Sequence, residues 1–300
     1  MTRWALACAL AACGRLGFDA TPADVASAAH DACAGFGPFA APVLLPGPVD
    51  AAGDDAQYPV SALGETALVF YSYRAPSNGA ALWLASRLTP SGQFGDPARI
   101  VELDAAGDQK QPALTADALD MIFTDASTAP FKLVETTRAT TAATWSAPVA
   151  RPELTTTGGE QSAWLSADGL RVVFMSGRNS PVNHIYEATR STRGGAFAAP
   201  DAHPELDSTA GEDSPGLTSD GLTIFFSSGR GAVAGILHFY TARRAALDQS
   251  FGTPQPIAEL TTPNSDLYIH LSRDDTLAYL NYNLAMATVP QVFVATRACM

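Results

Sequence analysis

Ser214 to Leu260 reads SPGLTSDGLTIFFSSGRGAVAGILHFYTARRAALDQSFGTPQPIAEL, and this stretch decides the fold. A Pro-led apolar run ends in Ser219-Asp220-Gly221. Asp-Gly between two alternating apolar runs marks a tight turn, because the turn needs residues that tolerate positive φ. Leu222 to Ser228 is then rich in β-branched and aromatic residues, which suit a half-buried pleated strand. Gly229 to Gly235 reads as a loop, Ile236 to Arg243 as a third strand, and Phe251 to Leu260 as a fourth. Prolines break that last segment, which a strand tolerates mainly at a sheet edge. Four short antiparallel strands with an outermost edge strand make one propeller blade.

From Phe36 onward the chain copies this unit. The third strand gives the cleanest register: LWLASR ending at Arg87, LVETTR at Arg138, IYEATR at Arg190, HFYTAR at Arg243 and VFVATR at Arg297. The steps are 51, 52, 53 and 54 residues (138−87, 190−138, 243−190, 297−243). That period, with this strand content, selects a propeller over a helical solenoid. An aromatic with Pro three residues later recurs as Phe94/Pro97, Trp145/Pro148, Phe197/Pro200 and Phe251/Pro254. Nothing of the kind follows Arg297, yet Phe39 and Pro42 stand near the N-terminus with the same spacing. The expectation over 36–300 is an all-β, five-bladed β-propeller of four-stranded antiparallel blades, closed by the N-terminal strand.

Composition fits this picture. The chain is 47% hydrophobic and 16% charged, enough for a substantial core. A net charge of −12 argues against a nucleic-acid partner and against non-specific docking on anionic lipid. Nothing past the first dozen residues approaches the apolar length of a membrane span.

The N-terminus carries a different message. Arg3 supplies a positive start, and Trp4 to Ala12 is a short apolar run ending in small residues, which reads as a signal peptide over 1–12. Leu10-Ala11-Ala12-Cys13 resembles the bacterial lipobox, whose Cys becomes the lipidated mature N-terminus. Gly14 follows, with no Asp to favour inner-membrane retention. The resemblance implies a lipoprotein of the bacterial cell envelope, anchored in the outer membrane, with residues 13–35 as the lipidated Cys and a flexible tether. Several acyl chains on one Cys anchor stably, whereas a single chain holds only marginally. Cys33 and Cys299 flank the two strands that should pair at ring closure. Export exposes them to oxidising conditions, so a Cys33–Cys299 disulfide is expected to lock the ring, at about 4–5 kcal/mol in the chain-entropy model.

The turn between first and second strands also repeats: LTADAL around Asp117, LSADGL around Asp168, LTSDGL around Asp220 and LSRDDT around Asp274, with SALGET (61–66) departing in the first blade. S-x-D-G-x-x-(apolar)-x-F-x-S, an apolar-x-A-T-R strand and an aromatic-x-x-Pro strand together resemble the TolB-type propeller repeat of bacterial envelope proteins, from about Phe36 to Arg297. The resemblance implies a binding or scaffolding module with no shared chemistry. Sialidase Asp boxes also carry S-x-D but place Gly and Trp differently, and no Arg triad stands out.

Each first strand is preceded by a carboxylate, giving a candidate ligand or cation ring of Asp55, Asp108, Glu160, Glu212 and Asp266. Five acids at one channel mouth would attract Ca²⁺ or a basic peptide. The alternative is that each acid caps its own loop. Glu102, Glu153, Glu205 and Glu259 follow the repeated arginines by 15 or 16 residues and read as their cross-strand ion partners. Trp83, Tyr186, Phe239 and Phe293 read as core fillers. No G-x-S-x-G, H-E-x-x-H or C-x-x-C motif occurs, and no catalytic residue or required cofactor is assigned. Gly229-Arg230-Gly231 lacks the spacing of a dinucleotide loop. His184 and His238 enter third strands, and His270 stands on an innermost strand near the channel. The expected function is an envelope-anchored binding or scaffold propeller for a protein or polysaccharide partner, not an enzyme. The alternative is a carbohydrate-active enzyme with paired carboxylates at the channel mouth.

Overall fold

The computed structural model describes residues 35–50, 55–75, 79–104, 107–231, 235–283 and 290–300. The expected signal peptide, the lipidation residue Cys13, most of the tether and Cys33 lie outside the described residues.

Strands β1 (Phe36–Phe39) and β2 (Val43–Leu44) come first. Blade 1 is β3 (Gln57–Ala62), β4 (Ala67–Ser72), β5 (Ala81–Ser86) and β6 (Ala98–Arg99). Blade 2 is β7 (Gln109–Leu114), β8 (Asp120–Asp125), β9 (Lys132–Thr137) and β10 (Val149–Ala150). Blade 3 is β11 (Glu160–Leu165), β12 (Arg171–Ser176), β13 (His184–Thr189) and β14 (Asp201–Ala202). Blade 4 is β15 (Glu212–Leu217), β16 (Thr223–Ser228), β17 (His238–Arg243) and β18 (Gln255–Pro256). Blade 5 is β19 (Ser265–Leu271), β20 (Leu277–Asn283) and β21 (Gln291–Cys299), completed by β1 and β2. All pairings within the blades are antiparallel.

The ring closes as the sequence predicts. Phe36 faces Cys299, Phe39 faces Arg297, and Val43 and Leu44 face Val294 and Phe293. The core lies between blades, built from second strands whose central residues are Phe70, Phe123, Phe174, Phe226 and Leu280, all at most 1% exposed. A strand buried on both faces can carry such continuous apolar runs.

The Asp turns are local hydrogen-bond units. Ser or Thr Oγ donates to the Asp two residues on, at 2.7 Å for Thr115–Asp117 and 2.6 Å for Ser166–Asp168, Thr218–Asp220 and Ser272–Asp274. The same Asp oxygen accepts the backbone N–H two residues further, as from Leu222 to Asp220 at 2.9 Å. The next position is left-handed: Gly221 has φ +69°, and Ala118 and Asp275 adopt φ 53° and 58° in its place.

The structure corrects three details of the sequence reading. The repeat arginine of blade 4 is Arg244, not Arg243. Its Nε donates to Gly221 O (2.9 Å), as Arg138 does to Ala118 O (2.8 Å), Arg190 to Gly169 O (2.7 Å) and Arg297 to Asp275 O (2.6 Å). Each of these guanidiniums lies over an aromatic: Arg87 on Phe94, Arg138 on Trp145, Arg190 on Phe197, Arg244 on Phe251, and Arg297 on Phe36 and Phe39. The register of β17 shifts with it, so Tyr240 rather than Phe239 matches Tyr186; both tyrosines stack on the second-strand phenylalanine. Secondly, the glutamates do not pair with these arginines across strands. Glu102, Glu153, Glu205 and Glu259 accept the backbone N–H of Trp145, Phe197, Phe251 and Phe39, the plug aromatic of the following blade. They are links between blades, and the Glu259–Phe39 bond is one of the ring-closing contacts. Thirdly, the fourth strands shrink to two residues and run into short 3-10 turns such as Ala258–Leu260.

Candidate functional site: the upper mouth of the central channel

The Asp turns occupy one end of the barrel-like ring, here the lower end. The upper end is where the first strands begin, and its chemistry differs from blade to blade. Four first strands hold a non-glycine residue at positive φ: Tyr58 (52°), Gln111 (53°), Ser162 (51°) and Ser214 (52°). Each sits at a break in strand register, the mark of a β-bulge. A bulge re-aims side chains, and these four meet at the axis. Ser214 Oγ of blade 4 lies 3.1 Å from the Tyr58 hydroxyl of blade 1 and 3.0 Å from Asp213 Oδ1. Ser162 Oγ of blade 3 lies 3.2 Å from the same Asp213 oxygen, and its N–H donates to Gln111 Oε1 of blade 2. The Tyr58 ring packs on Tyr268 at 4.4 Å between centroids and on Tyr71 at 5.6 Å. Tyr58 therefore plugs the channel, and burial followed by the Asp213 charge pushes its phenol above the ordinary range.

Immediately before the bulges stand Gln57, Lys110, Gln161 and Asp213, all half-buried. They hold the same register in four blades. Burial raises the Asp213 carboxyl above its usual range, against the lowering effect of its hydroxyl donors. Lys110 Nζ pairs with Asp108 at 2.9 Å and sits 5.4 Å from the ring centre of the exposed Tyr73.

The predicted acidic residues sit around this mouth, each held by neighbouring donors. Glu160 and Glu212 open their first strands and Asp266, second in β19, holds the equivalent register, while Asp55 and Asp108 fall one residue earlier. Asp55 accepts Ser72 Oγ and Tyr73 N–H; Asp108 accepts Ala80 N–H and Lys110. Glu160 accepts Thr156 and Ser176, Glu212 accepts Ser228 and Arg230, and Asp266 accepts Thr262. Glu212 and Asp266 also face His184 and His238 of the preceding blade, each Nδ1–O pair at 2.9 Å. Arg230, in the Gly-rich stretch dismissed as a nucleotide loop, is a structural clamp on Ser228, Glu212 and the Phe226 ring. Its counterparts Arg74 and Arg178 bond Ser72 and Ser176 in the same way.

Below the tyrosine plug lies a narrow cavity, too tight for a water molecule, lined by Val60, Leu114, Ala163, Trp164, Tyr268 and His270. His270 is 3% exposed, its Nε2 is 3.4 Å from Ser61 Oγ, and its Nδ1 has no hydrogen-bond partner among the described residues. Burial, then the Arg273 charge, pushes its pKa down to about 3, so it is neutral. Ser61 donates directly to Glu65 Oε1 at 2.8 Å. The hydroxyl, not the imidazole, contacts the acid, so this trio lacks the order of a nucleophilic triad.

A groove between blades 3 and 4 is lined by Arg171, Glu187, His203 and Arg244 among others. Glu187 is bound there by Arg244 (2.9 Å), His203 (2.9 Å) and Arg171. The seam before it repeats the device, with Glu135 bound by Arg190 (2.9 Å) and Arg151. Recurrence of this kind marks a blade-to-blade fastening.

No protein-family model and no curated protein sequence matches the chain. Solved structures do match. The protein assigned as TolB in Agrobacterium tumefaciens superposes with a TM-score of 0.51 at 15% identity, over 80% of this chain and 76% of its own. An α-L-arabinofuranosidase of Podospora anserina gives 0.55 at 11% identity, over 87% and 96%. The catalytic domain of a Coprinopsis cinerea GH62 α-L-arabinofuranosidase gives 0.53 at 12%, over 88% and 98%. At these identities the likeness is one of fold: the chain is a five-bladed, TolB-like β-propeller.

Proposed function

We propose that the protein is a binding module that takes its ligand at the upper mouth, over Gln57, Lys110, Gln161 and Asp213. One observation carries this reading. These four residues hold the same place in four blades and are an amide, an amine, an amide and a carboxyl. A repeat conserves what the ring needs; an accessible position where the blades differ in chemistry is free to serve a partner. Amides and opposite charges beside Tyr73 suit a polar ligand such as a peptide segment or a glycan. A photocrosslinker at Gln161 should capture the partner in native envelope, and one at the exposed Leu88 should not. Equal capture at both positions would remove the mouth as the site.

We read the N-terminal segment as a lipobox, with Cys13 lipidated and the propeller tethered in the cell envelope. Labelled fatty acid should enter the protein, and Cys13→Ser should release it from the membrane fraction. A Cys33–Cys299 bridge agrees with the pairing of Phe36 opposite Cys299; a digest run without reductant should contain the linked peptide. The competing enzyme reading draws on the arabinofuranosidase likeness and the raised Asp213 carboxyl. It needs a second carboxylate roughly 5–9.5 Å from Asp213 with a free oxygen. The other acids at the first-strand starts are held by neighbouring strand and loop donors, which favours binding over hydrolysis.

A further inference from the structure

At the upper rim between blades 3 and 4, three side chains from three separate segments converge. His184 opens β13, Asp207 ends the 3-10 turn that follows β14, and Glu212 opens β15. His184 Nδ1 lies 2.9 Å from Glu212 Oε2 and 3.2 Å from Asp207 Oδ1, and one donor atom from each residue lies within 4.8 Å of the others. We propose that His184, Asp207 and Glu212 bind a divalent transition-metal ion of the Zn²⁺ class.

The donor set carries the argument. Nδ1 holds at most one proton, and two carboxylates compete for it. A single proton between them leaves either Glu212 Oε2 or Asp207 Oδ1 without the imidazole donor, whereas a cation at the centre satisfies both oxygens and the nitrogen. Ligand atoms about 2.0–2.2 Å from Zn²⁺ stand roughly 3.0–3.5 Å apart around a tetrahedral or octahedral ion. The His184 separations of 2.9 and 3.2 Å lie within or just below that range, and the two carboxylate oxygens stand within 4.8 Å of each other, so rotamer adjustment can close the three donors on a metal. One imidazole with two carboxylates suits Zn²⁺ and its neighbours, while Ca²⁺ prefers six to eight oxygens.

The surroundings support the same reading. Glu212 is 2% exposed, and its Oε1 is held by Arg230 at 2.7 Å and Ser228 at 3.3 Å, which leaves Oε2 for the metal. Outer partners of this kind orient a ligating carboxylate. Arg230 occupies the other oxygen, so its charge weakens the site without filling it. An open pocket of 490 Å³, lined by Ser180, Pro181, Ser208 and Thr209 beside His184 and Asp207, leaves room for water or an exchangeable ligand to complete the sphere.

The repeat supplies an internal control. One blade on, His238 Nδ1 stands 2.9 Å from Asp266 Oδ2, but Thr261 takes the place of Asp207 as the cap of the 3-10 turn. Among the described residues the three-donor cluster occurs once.

The test is calorimetric titration of the full chain, made without a histidine tag and stripped of metal, with Zn²⁺ and then with Ca²⁺. One equivalent of Zn²⁺ should bind, and Ca²⁺ should not compete. Asp207→Asn and His184→Gln should each weaken binding at least tenfold. Thr261→Asp should add a second, weaker equivalent at His238 and Asp266. Asp207 is exposed, so Asp207→Asn keeps the test open if His184→Gln fails to fold. Failure of the unaltered chain to bind Zn²⁺ would reduce the cluster to a hydrogen-bonded histidine–carboxylate triad and overturn the proposal. Binding untouched by either substitution would place the metal elsewhere and equally overturn the proposal.

Discussion

The two ends of the propeller follow opposite rules. At the lower end every blade does the same thing: an arginine donates to the turn carbonyl and lies over its plug aromatic. At the upper end equivalent positions carry Gln57, Lys110, Gln161 and Asp213, and one rim seam gathers His184, Asp207 and Glu212. Five blades must present compatible edges to one another, so the fastening is held constant. A half-buried position at the channel mouth has no such duty. The lower end should therefore fail by unfolding when altered, and the upper end by losing ligand.

The sharpest way to break the comparison is Arg190→Ala. It removes a bidentate pair with Glu135 in which both side chains are at most 1% exposed, a cation–π contact and a turn bond. The expected loss is about 3 kcal/mol in denaturant unfolding, because the buried Glu135 carboxylate is left with Arg151 as its one remaining cationic partner among the described residues. Adding Glu135→Leu should recover much of it. A loss under about 1 kcal/mol would mean that the fastening is ornamental.

Between the two ends, His270 tests the channel. Its folded pKa of about 3 lies below the 6.5 of the unfolded chain, so between these values the unfolded chain holds the extra proton. Its contribution is complete above pH 6.5 and declines as the pH drops toward 3, by up to about 1.4 kcal/mol per pH unit. His270→Gln should flatten that slope relative to the unaltered protein in pH-dependent melting; parallel curves would contradict it.

Gly221→Ala probes the turns on a smaller scale. At φ +69° a Cβ costs about 1–2 kcal/mol, and here it would also meet Leu247 Cδ2 at 2.9 Å. Ala118→Gly, at φ 53°, should shift stability the other way. The smallest stability effect belongs to the mouth. Gln161→Ala and Asp213→Asn should stay within about 0.5 kcal/mol at pH 7. Asp213 is raised by burial, so its ionised form adds no stability there. Both variants should nevertheless lose the partner captured at the mouth.

Period, blade count and ring closure were all legible in the sequence, because strand alternation and turn chemistry are local and recur about every 52 residues. The same pattern could not tell Arg243 from Arg244: two adjacent arginines fit it equally, and only the bond from Arg244 Nε to Gly221 O separates them. It aligned Asp55 and Asp108 with Glu160, although they fall one strand residue earlier, and a one-residue slip reverses a side chain's face. The bulges at Tyr58, Gln111, Ser162 and Ser214 leave no motif, since ordinary residues adopt the left-handed turn there. His184, Asp207 and Glu212 come from three segments 23 and 5 residues apart (207−184, 212−207) that meet only when blades 3 and 4 pack. Local chemistry repeats along a chain and can be read from it. Contacts between blades, and the departures from the repeat that make a site, exist only once the ring has closed.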